Sequence, residues 1–392
     1  MNDPVVIAGA ARTPMGGMMG ALAGVAVGDL GAAAIQAALE RARVAPDQID
    51  EVLMGCVLPA GVGQAPARQA ALGAGIPVGT SATTVNKMCG SGMKTVMMAC
   101  DTLLAGHASV LVAGGMENMS NSPYLLPKAR GGYRLGHGEL LDHMYTDGLQ
   151  DAYTGGLMGV FAEQCAGKYE FTREQQDAYA VESLRRANAA IAEGKFKAEI
   201  VPVTVRTRAG EQLVDTDEQP GNARIDKIPT LKPAFKKDGT VTPANASSIS
   251  DGAAALVLMR QSEAEARGLR PLAVVRGYSQ FAQEPEWFTT APVGALKRLF
   301  EQVGWSPSEV DLYEINEAFA VVPMAAMREL DLPHTKVNVH GGACALGHPL
   351  GASGGRIIVT LLAALQTHGL RKGVASLCIG GGEATAVAVE RL

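Results

Sequence analysis

Two stretches on opposite halves of this chain follow one grammar, and that repeat constrains the fold more than any other feature. Residues 38–55 read as a helix, the turn Pro46-Asp47-Gln48-Ile49-Asp50, and a strand beginning Glu51-Val52-Leu53-Met54. Residues 299–315 repeat the order: a helix, the turn Gly304-Trp305-Ser306-Pro307-Ser308-Glu309, and the strand Val310-Asp311-Leu312-Tyr313-Glu314-Ile315. The correspondence continues. Thr84-Val85-Asn86 leads to a glycine-rich turn, a hydrophobic helix over residues 93–104 and a strand over 109–115. Lys336-Val337-Asn338-Val339 leads to a glycine-rich turn, a helix over 355–368 and a strand over 374–381. Two copies of an alternating strand–helix unit predict two similar α/β halves about a pseudo-twofold axis, with chance likeness among Ala/Gly-rich segments as the alternative. Each half sets a glycine-rich turn before a hydrophobic helix, at the strand ends where α/β proteins gather their active sites.

Between the halves the texture changes. Residues 119–153 are rich in Gly, Tyr, Pro and Asp with little periodicity, and 170–194 read as an amphipathic helix opened by a Thr172/Gln175 capping box. After it, 201–237 alternate basic, acidic and proline residues. An excursion of this size is expected to serve as a lid, a ligand platform or an oligomer contact.

Composition excludes several classes. The 392 residues are 47% hydrophobic but only 5% aromatic, with 47 glycines, so Ala, Val, Leu and Met must build a closely packed core. A net charge of −5 without a long basic run argues against nucleic acid as a partner. Cys56, Cys89, Cys100, Cys165, Cys344 and Cys378 form no C-x-x-C pair, so they read as reduced thiols rather than a disulfide or zinc framework. Val5–Ala10 running into Arg12-Thr13-Pro14 reads as a first strand and turn, not a leader, and the uncharged stretches 13–28 and 52–67 are too short and too broken to span a bilayer. A cytoplasmic protein with no membrane partner is expected.

Four motifs carry reactive groups. Cys89 stands in Asn86-Lys87-Met88-Cys89-Gly90-Ser91-Gly92, at the entrance of a helix whose dipole and free N–H groups favour thiolate over thiol. The alternative is a free cysteine buried in an apolar core. Asn316-Glu317-Ala318-Phe319-Ala320 ends a strand, where Asn316 either positions a water or caps the next helix. His348 sits in Gly347-His348-Pro349 within the glycine-rich run 341–354; a lone histidine is often structural, but this one has little freedom and no apolar face to fill. Cys378-Ile379-Gly380-Gly381-Gly382 places a second thiol at a strand end, followed by bare backbone donors. Together these suit acyl transfer: a thiolate nucleophile, an imidazole to move its proton, and N–H groups to hold an oxyanion or enolate. No nicotinamide, flavin or Walker motif is seen.

These four motifs in this order, with Gly239-Thr240-Val241-Thr242, Asn245-Ala246-Ser247 and Asp251-Gly252-Ala253-Ala254-Ala255, resemble the thiolase family over essentially the whole chain. The resemblance implies an α/β thiolase-like fold: two pseudo-twofold-related core domains in an α/β/α/β/α layering, with a loop domain between them. The boundaries it suggests are residues 1–118 with 247–270 for the N-terminal core, 119–246 for the loop domain and 271–392 for the C-terminal core. It implies a reversible, ping-pong Claisen condensation of two acetyl-CoA to acetoacetyl-CoA, or thiolysis of a 3-ketoacyl-CoA. Cys89 would carry the acyl group, with His348 as its base and Cys378 moving the α-proton of the second substrate. Asn316 and His348 would form one oxyanion site through a water, and the N–H groups of Cys89 and Gly380 the other. Coenzyme A would be a substrate, with no tightly bound cofactor and no metal. Its contacts would be Met158, Leu231, Ala234, Phe235, Ser247 and Phe319, although Phe235 and Phe319 read equally well as core aromatics. A homotetramer, a dimer of dimers, is implied, with the excursion around Ser120–Asp147 resembling the tetramer-forming loop.

Some positions depart from the family pattern. Leu157-Met158-Gly159 replaces His-Met-Gly, Pro243 stands where Ala is common, and Glu383-Ala384 replaces Met-Gly. Trp287-Phe288-Thr289-Thr290 leaves acyl-chain preference open, and Leu184 falls where a potassium-activated branch has tyrosine, so no potassium requirement is expected. A ketoacyl synthase or hydroxymethylglutaryl-CoA synthase would lack Cys378. A non-catalytic acyl-CoA or lipid binder would be expected to lose a reactive residue, and none is lost. A thiol redox protein would want a close resolving cysteine.

Overall fold

Strand β1 (Val5–Arg12) is buried along its whole length and lies near the middle of the molecule's main sheet. The structure is a computed structural model that describes residues 3–208 and 210–392, so the first two residues of the expected N-terminal core and residue 209 of the insertion lie outside it. The other strands on the main path are β2 (Glu51–Gly55), β3 (Ser81–Val85), β4 (Val110–Asn118), β5 (Ser250–Arg260), β6 (Ala273–Ala282), β7 (Leu312–Ile315), β8 (Lys372–Ile379) and β9 (Glu383–Arg391). They hydrogen-bond in the order β7-β8-β9-β6-β1-β5-β4-β2-β3, and the short strand Gly16–Gly17 pairs with β5 beside this path.

That order is symmetric about the β1–β6 junction. On one side β2 is parallel to β3 and β4, and β4, β5 and β1 are antiparallel neighbours. On the other, β7 is parallel to β8, and β8, β9 and β6 are antiparallel neighbours. A parallel bridge from Tyr313 to Val337 stands where the mirror of β3 would lie. The junction itself is only two register pairs long, Val6–Val274 and Ile7–Ala273, so the two half-sheets meet along a narrow seam. The repeat read from the sequence is the architecture.

Five layers result. Helices α1 (Val27–Ala42) and α2 (Pro66–Gly73) cover the outer face of the N-terminal half-sheet, burying Leu30, Ile35, Ala38 and Ala70 against Val52, Val112 and Val257. Between the half-sheets lie α3 (Ser91–Leu104) and the last helix, Leu350–Thr367, which touch strands of both. Two helices of the insertion, α4 (Met158–Tyr169) and α5 (Arg173–Ala192), precede α6 (Ala291–Val303) and α7 (Val321–Leu330), which cover the outer C-terminal face; the last helix is therefore α8. By length and apolarity α8 resembles a membrane span, but it is buried from Leu350 to Leu365, sandwiched between the half-sheets.

Two expectations are corrected here. The last helix begins at Leu350, five residues before the position read from sequence, so the run Gly351-Ala352-Ser353-Gly354-Gly355 is helical rather than a loop. Its first residue follows directly on His348-Pro349, because proline fits the entry of a helix without losing a bond. The strand expected over 109–115 runs on to Asn118, carrying Glu117 into the interior. In the insertion, Thr172 accepts a hydrogen bond from the Gln175 N–H at 3.2 Å and α5 starts as its capping box requires. The only strands in residues 119–153 are the two-residue Tyr124–Leu125 and Leu141–Asp142, with 3₁₀ turns before and between them and a π turn, Met144–Leu149, after them.

The contact between α3 and α8 is made by glycine. A Cβ on Gly92 would lie 2.8 Å from both the Gly351 carbonyl oxygen and the Gly355 nitrogen, and one on Gly354 would lie 2.3 Å from the Met93 nitrogen. These are backbone atoms and cannot swing aside. Gly92→Ala therefore opposes two effects: helix propensity, which favours alanine by about 1 kcal/mol, and overpacking, which costs about 1–3 kcal/mol. Packing against backbone is expected to win, giving a net loss of about 1–2 kcal/mol in urea unfolding; a neutral or stabilised variant would contradict the close contact.

Candidate active site

Both reactive residues at the helix entrances follow a residue with positive φ. Met88 adopts φ +47°, rare for a side chain of its size, and Gly347 adopts φ +99° with no room for a Cβ beside Ser250. The Met88 conformation is held by its neighbours. The Asn86 side chain accepts from the Met88 N–H at 3.0 Å, and Ser91 Oγ donates to the Met88 carbonyl at 2.6 Å while accepting from the Lys87 N–H at 2.8 Å. Lys87 in turn is ion-paired with Glu383, so the departure at Glu383-Ala384 has a partner on the opposite half of the chain.

Cys89 departs from the expected thiolate. Desolvation pushes its thiol up to about 11, the nearby Glu117 carboxylate adds to this, and the Gly380 and Cys89 backbone N–H groups pull the other way. The helix dipole does not rescue it because the first amides are already used. Gly90 N–H donates to the Lys87 carbonyl and Ser91 N–H to the Met88 carbonyl. At rest Cys89 is a neutral thiol. Glu117 sits behind it, accepting from the N–H groups of Val57, Leu58 and Gly351 at 2.8–3.1 Å, and burial holds its carboxyl at about 7 against that pull. Sequence reading missed Glu117; its signal was one acid closing an otherwise apolar strand.

His348 is buried, and desolvation with the Arg356 charge depresses it to about 3, so it is a neutral imidazole. Its Nδ1 lies 2.5 Å from Ser353 Oγ and 3.5 Å from Asn316 Nδ2, and its Nε2 has no hydrogen-bond partner among the described residues. Asn316 is buried at the end of β7, its Oδ1 accepting from Arg356 Nη2 at 3.4 Å. Arg356 Nη1 reaches Glu314 at 3.4 Å, and both are inaccessible to solvent. Asn316 thus stands behind His348 rather than on the cavity wall.

Cys378 is fully buried at the end of β8, paired in register with Ala384. Burial, then proximity to Cys89 and Cys165, raises its thiol far above the usual range. Gly380, Gly381 (φ +92°) and Gly382 (φ +88°) follow it as the turn into β9, which only glycine enters readily.

Cys89, His348 and Gly380 face one cavity of about 390 Å³. Of the positions proposed for coenzyme A, Met158, Ala234, Phe235, Ser247 and Phe319 line it. Leu231 does not; its carbonyl instead accepts from Arg173 at 2.9 Å, in the loop against α5. Phe235 and Phe319 are both wall and core, meeting edge-to-face with ring centres 6.0 Å apart. Pro243, Leu157 and Phe288, noted as departures, also line the cavity, and Phe288 packs against Phe319 at 6.4 Å. Tyr145, Leu149 and Ile249 join them unannounced by any motif, and Leu350 joins them from the run 341–354. Cavities of about 390 and 480 Å³ elsewhere, beside Arg41 and beside Lys297, hold no cysteine or histidine, so chemistry rather than size selects this one.

Comparison with known proteins agrees with this geometry. The family descriptions "Thiolase, N-terminal domain" and "Thiolase, C-terminal domain" match residues 5–262 and 269–391. An acetyl-CoA acetyltransferase of Chromobacterium violaceum is 50% identical over 389 residues, covering 99% of both chains. The crystal structure of the Bacillus anthracis acetyl-CoA acetyltransferase superposes with a TM-score of 0.97 at 43% identity, covering 100% of this chain and 99% of that one. A thiolase from Ascaris suum, solved in complex with coenzyme A, gives 0.94 at 42% identity, covering 99% and 100%.

A thiol held at about 11 makes a prediction for alkylation. Below its pKa the reactive thiolate fraction rises about tenfold per pH unit. Iodoacetamide labelling of Cys89, followed by peptide mapping, is therefore expected to climb from pH 7 to about pH 10 without levelling. A plateau near pH 9, where an unperturbed thiol of about 8.5 saturates, would contradict it.

Proposed function

The chain belongs to the thiolase family, and from that membership and its site we infer that it is an acyl-CoA C-acyltransferase acting by a ping-pong acyl-cysteine route. The single observation that carries the mechanism is the convergence of Cys89, the unpartnered Nε2 of His348 and the Gly380 turn on one apolar cavity. Acetyl-CoA and acetoacetyl-CoA are the proposed substrates, supported by the names of the relatives, and coenzyme A the carrier, supported by the coenzyme A complex of the Ascaris suum thiolase.

In thiolysis, Cys89 Sγ attacks the 3-keto carbon while His348 Nε2 takes the thiol proton. With the thiol raised to about 11 and the imidazole lowered to about 3, a preformed ion pair is disfavoured, and proton transfer accompanies S–C bond formation. The Cys89 and Gly380 N–H groups, which already hydrogen-bond toward Sγ, would receive the oxyanion that develops beside it. Breaking the C2–C3 bond leaves acetyl-CoA as an enolate, which takes the proton of Cys378. A buried, neutral Cys378 suits that donor role. The Cys378 thiolate then accepts the proton of incoming coenzyme A, whose sulfur displaces the acyl group, and His348 returns its proton to Cys89. Condensation of two acetyl-CoA is the same sequence reversed. Asn316 takes part through its place behind His348, with a water as the intended partner.

The exposed Leu126, Leu135 and Leu140 on the excursion support the homotetramer expected for it, and six free thiols support a reducing, cytoplasmic setting. In the test, Cys378→Ala is expected to retain a slowed but measurable acetylation of Cys89 by acetyl-CoA, since the coenzyme A thiolate is a weak enough base to leave without that proton, while condensation falls at least about a thousandfold. Condensation near the wild-type rate in that variant would remove Cys378 from the second half-reaction. Thiolysis of acetoacetyl-CoA is expected to exceed that of 3-ketohexanoyl-CoA in kcat/KM; the reverse order would move the substrate to longer chains.

A further inference from the structure

An imidazole serves as base only through the nitrogen that lacks a proton, and its two neutral tautomers differ little in energy unless a neighbour chooses between them. Around His348 the choice is made by one hydroxyl. Ser353 Oγ lies 2.9 Å from the Pro349 carbonyl, four residues back in the first turn of α8, and a carbonyl only accepts. The single Ser353 proton is committed there. Toward His348 Nδ1, 2.5 Å away, the hydroxyl can then only accept, so Nδ1 carries the hydrogen.

A second observation agrees. Asn316 Oδ1 faces Arg356 Nη2 at 3.4 Å, which turns the Asn316 amide nitrogen, a donor, toward Nδ1. If Nδ1 were a bare acceptor, that donor would be expected near 2.9 Å. It stands at 3.5 Å, at the long limit of a hydrogen bond. Nδ1–H leaves Nε2 as a lone pair, and Nε2 is the atom without any partner, in a side chain that lines the cavity beside Cys89.

We propose that Ser353 is a positioning residue that locks His348 in the Nδ1–H tautomer, so that Nε2 is the atom that takes the Cys89 proton. The inference rests on the reading of His348 as that base. Ser353 is not among the residues that line the cavity; it acts through the ring. Its hydroxyl is buried, and removing it frees the ring to take the Nε2–H form, which has no base facing the thiol.

The test uses the full enzyme with Ser353→Ala, Ser353→Thr and His348→Ala. In nitrogen-15 spectra of histidine-labelled protein, the wild-type His348 signals, assigned by their loss in His348→Ala, are expected to show protonated Nδ1 and bare Nε2. Ser353→Ala is expected to mix the tautomers and to lower kcat for thiolysis about tenfold to a hundredfold at unchanged KM, the usual range for a group orienting an imidazole. Ser353→Thr, which keeps the hydroxyl, is expected to restore most of kcat. A wild-type Nε2–H tautomer would overturn the proposal outright. So would an unchanged kcat in a Ser353→Ala variant whose circular dichroism and urea midpoint match wild type. If His348→Ala itself turned over at the wild-type rate, the base assignment would fall first, whereas a correct tautomer with an inert Ser353→Ala would count against Ser353 alone.

Discussion

The Gly351 carbonyl is approached by three glycines from the other half of the chain, and the geometry of the site depends on that approach. Cβ atoms placed on Gly55, Gly92 and Gly115 would lie 2.9, 2.8 and 1.9 Å from it. With side chains excluded, α3 and α8 pack backbone to backbone between the half-sheets. Cys89 and His348 each stand two residues before the first residue of their helix, so the closeness of the helices brings these entrances together. Glu117 ties the arrangement, accepting from Gly351 N–H on α8 and from Val57 and Leu58 at the end of β2. The pseudo-twofold repeat supplies the two entrances. The glycines decide how near they come.

Placing these entrances in the interior sets the electrostatics. Desolvation raises both thiols and depresses the imidazole, so every reacting group rests uncharged. On the proposed route charge appears only as bonds change, and the Cys89 and Gly380 amides, which hydrogen-bond toward the sulfur, stand beside the place where the oxyanion would develop. The buried Arg356–Glu314 pair lies behind Asn316, one step from the imidazole, and its guanidinium disfavours imidazolium. A site organised this way relies on prearranged dipoles rather than on an activated thiolate.

Much of this was legible in the sequence, and the failures have physical reasons. The repeated helix–turn–strand units were readable because turn prolines and acids punctuate them, and the Thr172/Gln175 box because capping is local. The start of α8 was misplaced because Gly351, Gly354 and Gly355 argue for a loop. They are helical because the neighbouring backbones leave no room for anything larger. The Cys89 thiolate was inferred from a local dipole, and burial, which is a tertiary property, reversed it. Leu231 fell outside the cavity because its carbonyl is held by Arg173, fifty-eight residues earlier in the chain. Ser353 and Glu117 carried no motif of their own. Their roles arise from partners that only the fold brings within 3 Å.

On the proposed route, a neutral, buried Cys89 becomes an acyl-enzyme with no activation beyond its neighbours. Intact mass measurement after brief exposure to acetyl-CoA tests it most directly. The wild-type chain is expected to gain the mass of one acetyl group, mapped to the Cys89 peptide and removed by added coenzyme A. A chain that gains no mass, or gains it at Cys378 or another thiol, would contradict the claim.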